Sequence, residues 1–245
     1  MVPGGFFPEL SVPAALAVGL LGGLLALDDT ALGQTWFSLP LVAGILTGFV
    51  CGDPGVGLMV ALPLQLVLAG DLPVGQTFVG DQTSAVIATV AAAVWRPAAT
   101  VAGVAGGLSL ELLGWMLLGA ALLSVAGSPL IQLERRAHGL WMQEGHLTLR
   151  DGSLTRIERL HRRCLQATFV RGAVVTLLFL LVVLKLWLPL FAALPERLHE
   201  SLGLLPFLLP ALGVGKMIER YGISASWRWV VPGLVVAYAV TGYLL

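Results

Sequence analysis

Charge is what this chain has least of. Asp, Glu, Lys and Arg together make up 11% of the 245 residues, against about a quarter in a soluble domain. Too little polar surface remains to face water. With 57% hydrophobic residues and a mean hydropathy of +0.90, the chain is expected to sit in a bilayer. Cysteine is nearly absent: Cys51 and Cys164 stand alone and form no Cys-x-x-Cys, which excludes a zinc ribbon and a disulfide framework. No Lys or Arg precedes Arg96, so an anion site in the first third has no cation to build it. The same absence removes the basic start of a cleaved signal peptide, and none is expected. Net charge is zero, which argues against a nucleic-acid partner. The histidines (138, 146, 161 and 199) lie outside the strongly apolar runs, so an intramembrane hydrolase has no base. The phosphate loop G-x-x-x-x-G-K-[ST], H-E-x-x-H and G-x-S-x-G are all missing. No catalytic residue, metal ligand or cofactor is expected.

What is present is a series of apolar runs. A bilayer admits helices or closed barrels, and these runs are too long and unbroken for the alternation of barrel strands. The predicted class is an all-α integral membrane protein, a polytopic helical bundle with short re-entrant or discontinuous helices. The runs are 9–27, 32–51 with Pro40, 55–70 with Pro63, 77–95, 97–127 with Glu111, 172–194 with Lys185, 202–217 with Pro206 and Pro210, and 229–245 with Pro232. A spanning helix needs about 20 residues. The runs 55–70 and 202–217 fall short and carry prolines, which reads either as tilted, kinked helices or as broken helices around a substrate site.

Three parts follow: membrane helices in 1–131 with a candidate re-entrant hairpin, a polar stretch 132–171, and membrane helices in 172–245. Eight of the 14 Lys and Arg residues lie between Arg135 and Arg171, so the polar stretch is expected on the cytoplasmic side. Leu154, Ile157, Leu160 and Cys164 recur in it at helical spacing between arginines. That pattern fits an amphipathic helix on the membrane face, or one that docks a soluble partner. Pairs of glycines four apart (Gly44/Gly48/Gly52, Gly19/Gly23, Gly103/Gly107) predict closely packed helices.

The polar residues inside the greasy first half carry the functional reading. Gly-Asp recurs at 52–53, 70–71 and 80–81. Asp53 before Pro54 reads as a helix cap. Asp71 in a turn reads as a cap or a site residue. Asp81, followed by Gln82, Thr83 and Ser84, sits within an apolar run, where a carboxylate must face a cavity or a partner. Gln65, two residues after Pro63, either satisfies backbone freed by the proline or bonds a neutral ligand; Gln34 and Gln76 are similar amides at segment edges. Carboxylates and amides without cations suit a polyhydroxyl ligand such as a sugar. The candidate substrate-binding set is Gln65, Asp71, Gln76, Asp81, Gln82 and Thr83. Glu111 and Lys185 are lone charges that could pair with each other.

Residues 27–85 resemble the IIC membrane subunit of mannose-type (mannose/fructose/sorbose) sugar phosphotransferase systems. The matching features are Leu27-Asp28, Pro40-Leu41-Val42-Ala43-Gly44, Gly52-Asp53-Pro54 with Gly57, Gln65 on a short helix, Leu72-Pro73-Val74-Gly75, and Asp81; Leu165-Gln166-Ala167 follows the central stretch. The resemblance implies a permease subunit of the bacterial cytoplasmic membrane that moves a hexose-like sugar by an elevator-like shift. It also implies an oligomeric assembly with a IID membrane subunit, while cytoplasmic IIA and IIB components carry the phosphoryl group. The chain departs from the family pattern at Val79-Gly80, at Gln65 (often Glu) and at Pro73 (often Asn). Two other readings stand beside this one: a non-transporting scaffold or regulatory homologue, and a proton-coupled secondary transporter working through Asp81 or Glu111.

Overall fold

The computed structural model describes residues 9–32, 35–68, 80–96, 108–150, 154–222, 227–228, 231–232 and 235. All regular structure among them is helical: α1 (Val12–Thr30), α2 (Pro40–Cys51), α3 (Pro54–Leu68), α4 (Gln82–Val94), α5 (Leu110–Arg150), α6 (Leu154–Val182), a π-helical turn (Val183–Trp187), α7 (Leu188–Ala192), α8 (Glu196–Leu202) and α9 (Leu205–Tyr221). Four helical stretches are long and apolar enough to cross a membrane: Val12–Asp29, Leu110–His146, Leu154–Ala192 and Glu196–Glu219. The remaining apolar helices, α2, α3 and α4, are shorter.

The lengths of α2 and α3 follow from their ends. Pro40 opens α2, where its missing N–H costs nothing. Gly52, at φ 97°, closes it in the left-handed conformation that favours glycine. Asp53 Oδ1 then accepts from the Val56 amide at 2.9 Å and starts α3 with Pro54 at its head. The 12 residues of α2 and 15 of α3 rise about 18 and 22 Å, short of the ~30 Å hydrocarbon core. They double back on each other as a half-depth hairpin. A methyl group on Gly57 would lie 2.6 Å from the Gly44 carbonyl oxygen, so the two backbones touch where any larger residue would push them apart.

The hairpin packs on α4, and α4 packs on α1, α2, α3, α5 and α6. Every side chain of α4 from Thr83 to Ala93 is buried. A run of Ala, Val, Ile and Thr with no polar face is what a helix surrounded by others requires. On the outside, Leu16, Leu20 and Leu24 of α1 are exposed at a four-residue spacing, a stripe turned to lipid. Gly23 brings α1 against α6: a methyl there would meet the Phe169 carbonyl oxygen at 2.8 Å. The run 202–217, expected to be too short to span, belongs to the 24-residue stretch Glu196–Glu219. Its proline-bearing helix α9 packs on α3, and a methyl on Gly213 would lie 2.9 Å from Val67 Cα.

Helices α5 and α6 form a long antiparallel pair, clasped at one end by tryptophans. Trp115 Nε1–H donates to the Trp187 carbonyl and Trp187 Nε1–H to the Trp115 carbonyl, each at 2.9 Å, with the rings stacked 4.2 Å apart. At the other end Glu134 meets Arg171. The separation along each helix is about 28 and 24 Å, the thickness of a hydrocarbon core bounded by aromatics on one side and charge on the other. Beyond Glu134 and Arg171 both helices continue, so the polar stretch 132–171 is the outer part of α5 and α6, joined through 151–153.

Several run boundaries differ from expectation. Residues 32–51 are not one helix, because Asp28 takes the backbone amides of Thr35 and Ser38 and holds them out of helical geometry until Pro40. In the run 77–95 the helix begins at Gln82, after the Asp81 cap. Of the run 97–127, residues 97–107 lie outside the described residues; α5 begins at Leu110 and passes Pro129 without ending. Glu111 and Lys185 do not pair: Glu111 lies in the first turn of α5 against Gly203, and among the described residues Lys185 has no ion-pair partner.

Candidate functional site at the open end of the hairpin

Three elements reach for one short segment, residues 35–41. From the end of α1, Asp28 Oδ1 accepts from the Thr35 amide at 2.7 Å and from its hydroxyl, and Oδ2 accepts from the Ser38 amide at 2.9 Å. From α4, the Thr83 hydroxyl donates to the Ser38 carbonyl at 3.0 Å. From α3, Gln65 Oε1 accepts from the Leu41 amide at 3.1 Å. Leu41 follows Pro40 at the start of α2, where amides have no partner inside the helix, and Gln65 supplies one. Gln65 therefore bonds backbone, but an amide of α2 rather than the carbonyl that Pro63 frees. The held segment includes Trp36 at φ 73°, a left-handed conformation costly for a bulky residue. Its ring is 76% exposed.

Two residues before Thr83, Asp81 anchors a second polar group. Its Oδ1 caps α4 by accepting from the Ser84 amide at 3.1 Å, and its own amide donates to the Ser124 carbonyl at 2.9 Å. Its Oδ2 accepts from Arg171 Nη1 at 2.8 Å. Arg171 Nε donates to Glu134 Oε2, and Glu134 Oε1 accepts from the Thr168 hydroxyl. Asp29 stands within Coulombic reach of Asp81, Arg171 and Arg135. The side chains of Arg171, Asp81 and Glu134 are 10%, 4% and 9% exposed. A buried cation shared by two carboxylates is a strong tie between α4, α5 and α6, because losing one partner leaves the others unpaired in low dielectric. Gly127 makes room for it: a methyl there would lie 2.5 Å from Asp81 Cβ.

Of the candidate residues, the structure gathers Gln65, Thr83 and Asp81 at the open end of the hairpin. Gln82 opens α4, half-buried beside them. Asp53 caps α3 at the closed end, away from the group. Asp71 and Gln76, with Gln34, lie outside the described residues. Asp28, Thr35, Ser38, Glu134 and Arg171 were not among the candidates. Glu134 and Arg171 had a signal: they are opposite charges at the abutting ends of consecutive apolar runs.

The family follows from the whole length of the chain. A model described as the sorbose-specific IIC component of the phosphotransferase system matches residues 12–244. The chain belongs to that family. IIC components are membrane permease parts of sugar phosphotransferase systems, in keeping with the four long apolar helices and the half-depth hairpin. Two solved structures share the fold. One, described as a membrane protein, superposes with a TM-score of 0.71 at 20% identity, covering 96% of this chain and 94% of that one. The other, a cryo-EM complex of the mannose transporter ManYZ with microcin E492 (MceA), gives a TM-score of 0.58 at 19% identity over the same shares. No curated protein sequence matches the chain.

Proposed function

We propose that this IIC chain is the sugar-translocating subunit of a mannose-type phosphotransferase system, and that it takes a hexose-like sugar at the open end of the α2–α3 hairpin. The observation that carries the reading is the meeting of Asp28, Gln65 and Thr83 on residues 35–41, with Asp81 two residues before Thr83. Half-depth helices with polar tips at one membrane level are a recurrent way to build a transport site. Acceptors and amides without a free cation suit sugar hydroxyls. Gln65, Asp71, Gln76, Asp81, Gln82 and Thr83 form the binding set in this proposal. The hairpin and α4 move as a body in an elevator-like step. A IID membrane subunit completes an oligomeric permease in the bacterial cytoplasmic membrane. The arginine-rich ends of α5 and α6 face the cytoplasm, where IIB, charged by IIA, phosphorylates the sugar.

The test is phosphoenolpyruvate-dependent phosphorylation of a hexose panel by membranes holding this chain with its IID partner and the phosphocarriers. One hexose is expected to be phosphorylated. Gln65→Leu should abolish that activity in protein that is still inserted, whereas Gln65→Glu keeps the acceptor for Leu41 and should keep part of it. Full activity of Gln65→Leu would overturn the site. Uptake driven by a pH gradient without phosphocarriers would overturn the coupling.

A further inference from the structure

A second cavity lies outside the polar group described above. It opens between the outer parts of α5 and α6, next to Ala31 at the end of α1, and has a volume of about 510 Å³, within the usual range for small-molecule sites. Leu160 and Leu165 form aliphatic wall, and Trp141 closes one side. Three imidazoles line it, His138 and His146 from α5 and His161 from α6. Among the described residues the buried His138 Nε2 has no hydrogen-bond partner, and a carboxylate oxygen of Glu134, 3.6 Å away, is already engaged by Thr168. The Arg163 guanidinium lies over the Trp141 ring, 4.4 Å from its centre. Arg135, Arg136, Arg156, Arg159 and Arg162 stand on the same two helix stretches, against Glu144 and Glu158, and Glu158 pairs with Arg162.

Position decides what such a cavity meets. It starts where α1 ends and where the Glu134–Arg171 tie marks the edge of the apolar spans, so it opens at the level of lipid headgroups. An apolar slot lined by imidazoles at that level, with a guanidinium stacked on the Trp141 ring that forms part of its wall, matches an amphiphile with a phosphate head. Basic pockets between helices at the membrane edge hold anionic lipids by this chemistry. We propose that the α5–α6 cavity binds an anionic phospholipid, its phosphate taken by the imidazoles and Arg163 and an acyl chain lying along Leu160 and Leu165. The bound lipid wedges the outer ends of α5 and α6 at a set separation. This site is independent of the sugar reading.

Native mass spectrometry of the detergent-purified full chain tests it, with added phosphatidylglycerol or phosphatidylcholine of the same acyl chains. Phosphatidylglycerol should be retained roughly tenfold better, as one molecule per chain. A double variant, His161→Gln with Arg163→Gln, should lose that preference while binding phosphatidylcholine as before. Gly145 lines the cavity with room for a methyl, 3.7 Å from Leu160 Cδ1. Gly145→Ala should therefore behave as the parent, and Gly145→Leu, which fills the slot, should retain neither lipid while keeping the parent's helical circular dichroism. Equal retention of the two lipids by the parent would overturn the proposal. So would full competition by glycerol phosphate or inorganic phosphate, which would mark a headgroup site without a lipid. A fall in the oligomeric mass of Gly145→Leu relative to the parent would overturn it too, because a second copy would then be what covers the cavity.

Discussion

The two ends of α5 and α6 live by different rules from the short helices they border. Around α2, α3 and α4, backbones touch through Gly44 and Gly57, and α4 is buried from Thr83 to Ala93. The polar groups at the open end of the hairpin have named partners: Gln65 on the Leu41 amide, Thr83 on the Ser38 carbonyl, Asp81 on Arg171. Further along α4 the hydroxyls of Ser84 and Thr89 have none among the described residues. In the outer part of α5 and α6 the helices part around a cavity, Leu140 and Met142 are 65% and 72% exposed, and His138 Nε2 has no hydrogen-bond partner among the described residues. The first region holds geometry, and the second leaves space. A bilayer explains the contrast. Inside it a charge must be paired, as Asp81, Glu134 and Arg171 are, or it costs several kcal/mol, and helices gain only by close packing. Beyond the hydrocarbon, water and headgroups satisfy what the protein leaves open.

The largest expected effect lies at the seam between the regions. Arg171→Met leaves Asp81 and Glu134 facing each other without a cation, and should cost about 3–5 kcal/mol. A thermal-unfolding series in detergent would read this as a large fall in midpoint. Adding Asp81→Asn and Glu134→Gln should recover part of the loss. A variant as stable as the parent would show that the tie does not hold the regions together.

Next comes a change within the packed region. Gly57→Val forces the hairpin open against the Gly44 carbonyl and should cost about 1–3 kcal/mol. It should also lower sugar phosphorylation, because the Gln65–Leu41 bond lies on the same pair of helices. Loss of stability with unchanged activity would separate the hairpin from the site. Smallest is Leu140→Gln on the outer part of α5, expected to stay within about 0.5 kcal/mol. A drop as large as that of Gly57→Val would mean that the outer helices are packed against something as firmly as the hairpin is, and the contrast between the regions would fail.

Much of the fold was legible because membrane helices announce their ends. Gly52-Asp53-Pro54 is a break whose local chemistry acts over three or four residues, and α2 ends and α3 begins there. Pro40 and Asp81 lie inside apolar runs of the sequence, and only the structure shows helices starting at or just after them. The site was legible only in part. Gln65, Asp81 and Thr83 stood out as polar residues in apolar runs, but their partners did not. Leu41 lies 24 residues from Gln65, Ser38 lies 45 from Thr83, and Arg171 lies 90 from Asp81. Asp28 was overlooked because a carboxylate at the end of an apolar run looks like an ordinary boundary charge. Its role shows only when Thr35 and Ser38 fold back onto it.

Composition and run length alone dictated a helical membrane protein, and marked 55–70 as too short to span, since hydrophobic length and Pro/Gly placement are local quantities that lipid reads directly. Which carboxylate meets which cation, and that residues 35–41 become the meeting point of three helices, was decided by tertiary packing. Those pairings depend on how α4 is enclosed by its neighbours, and burial of one helix by several others is a property no single stretch of chain carries.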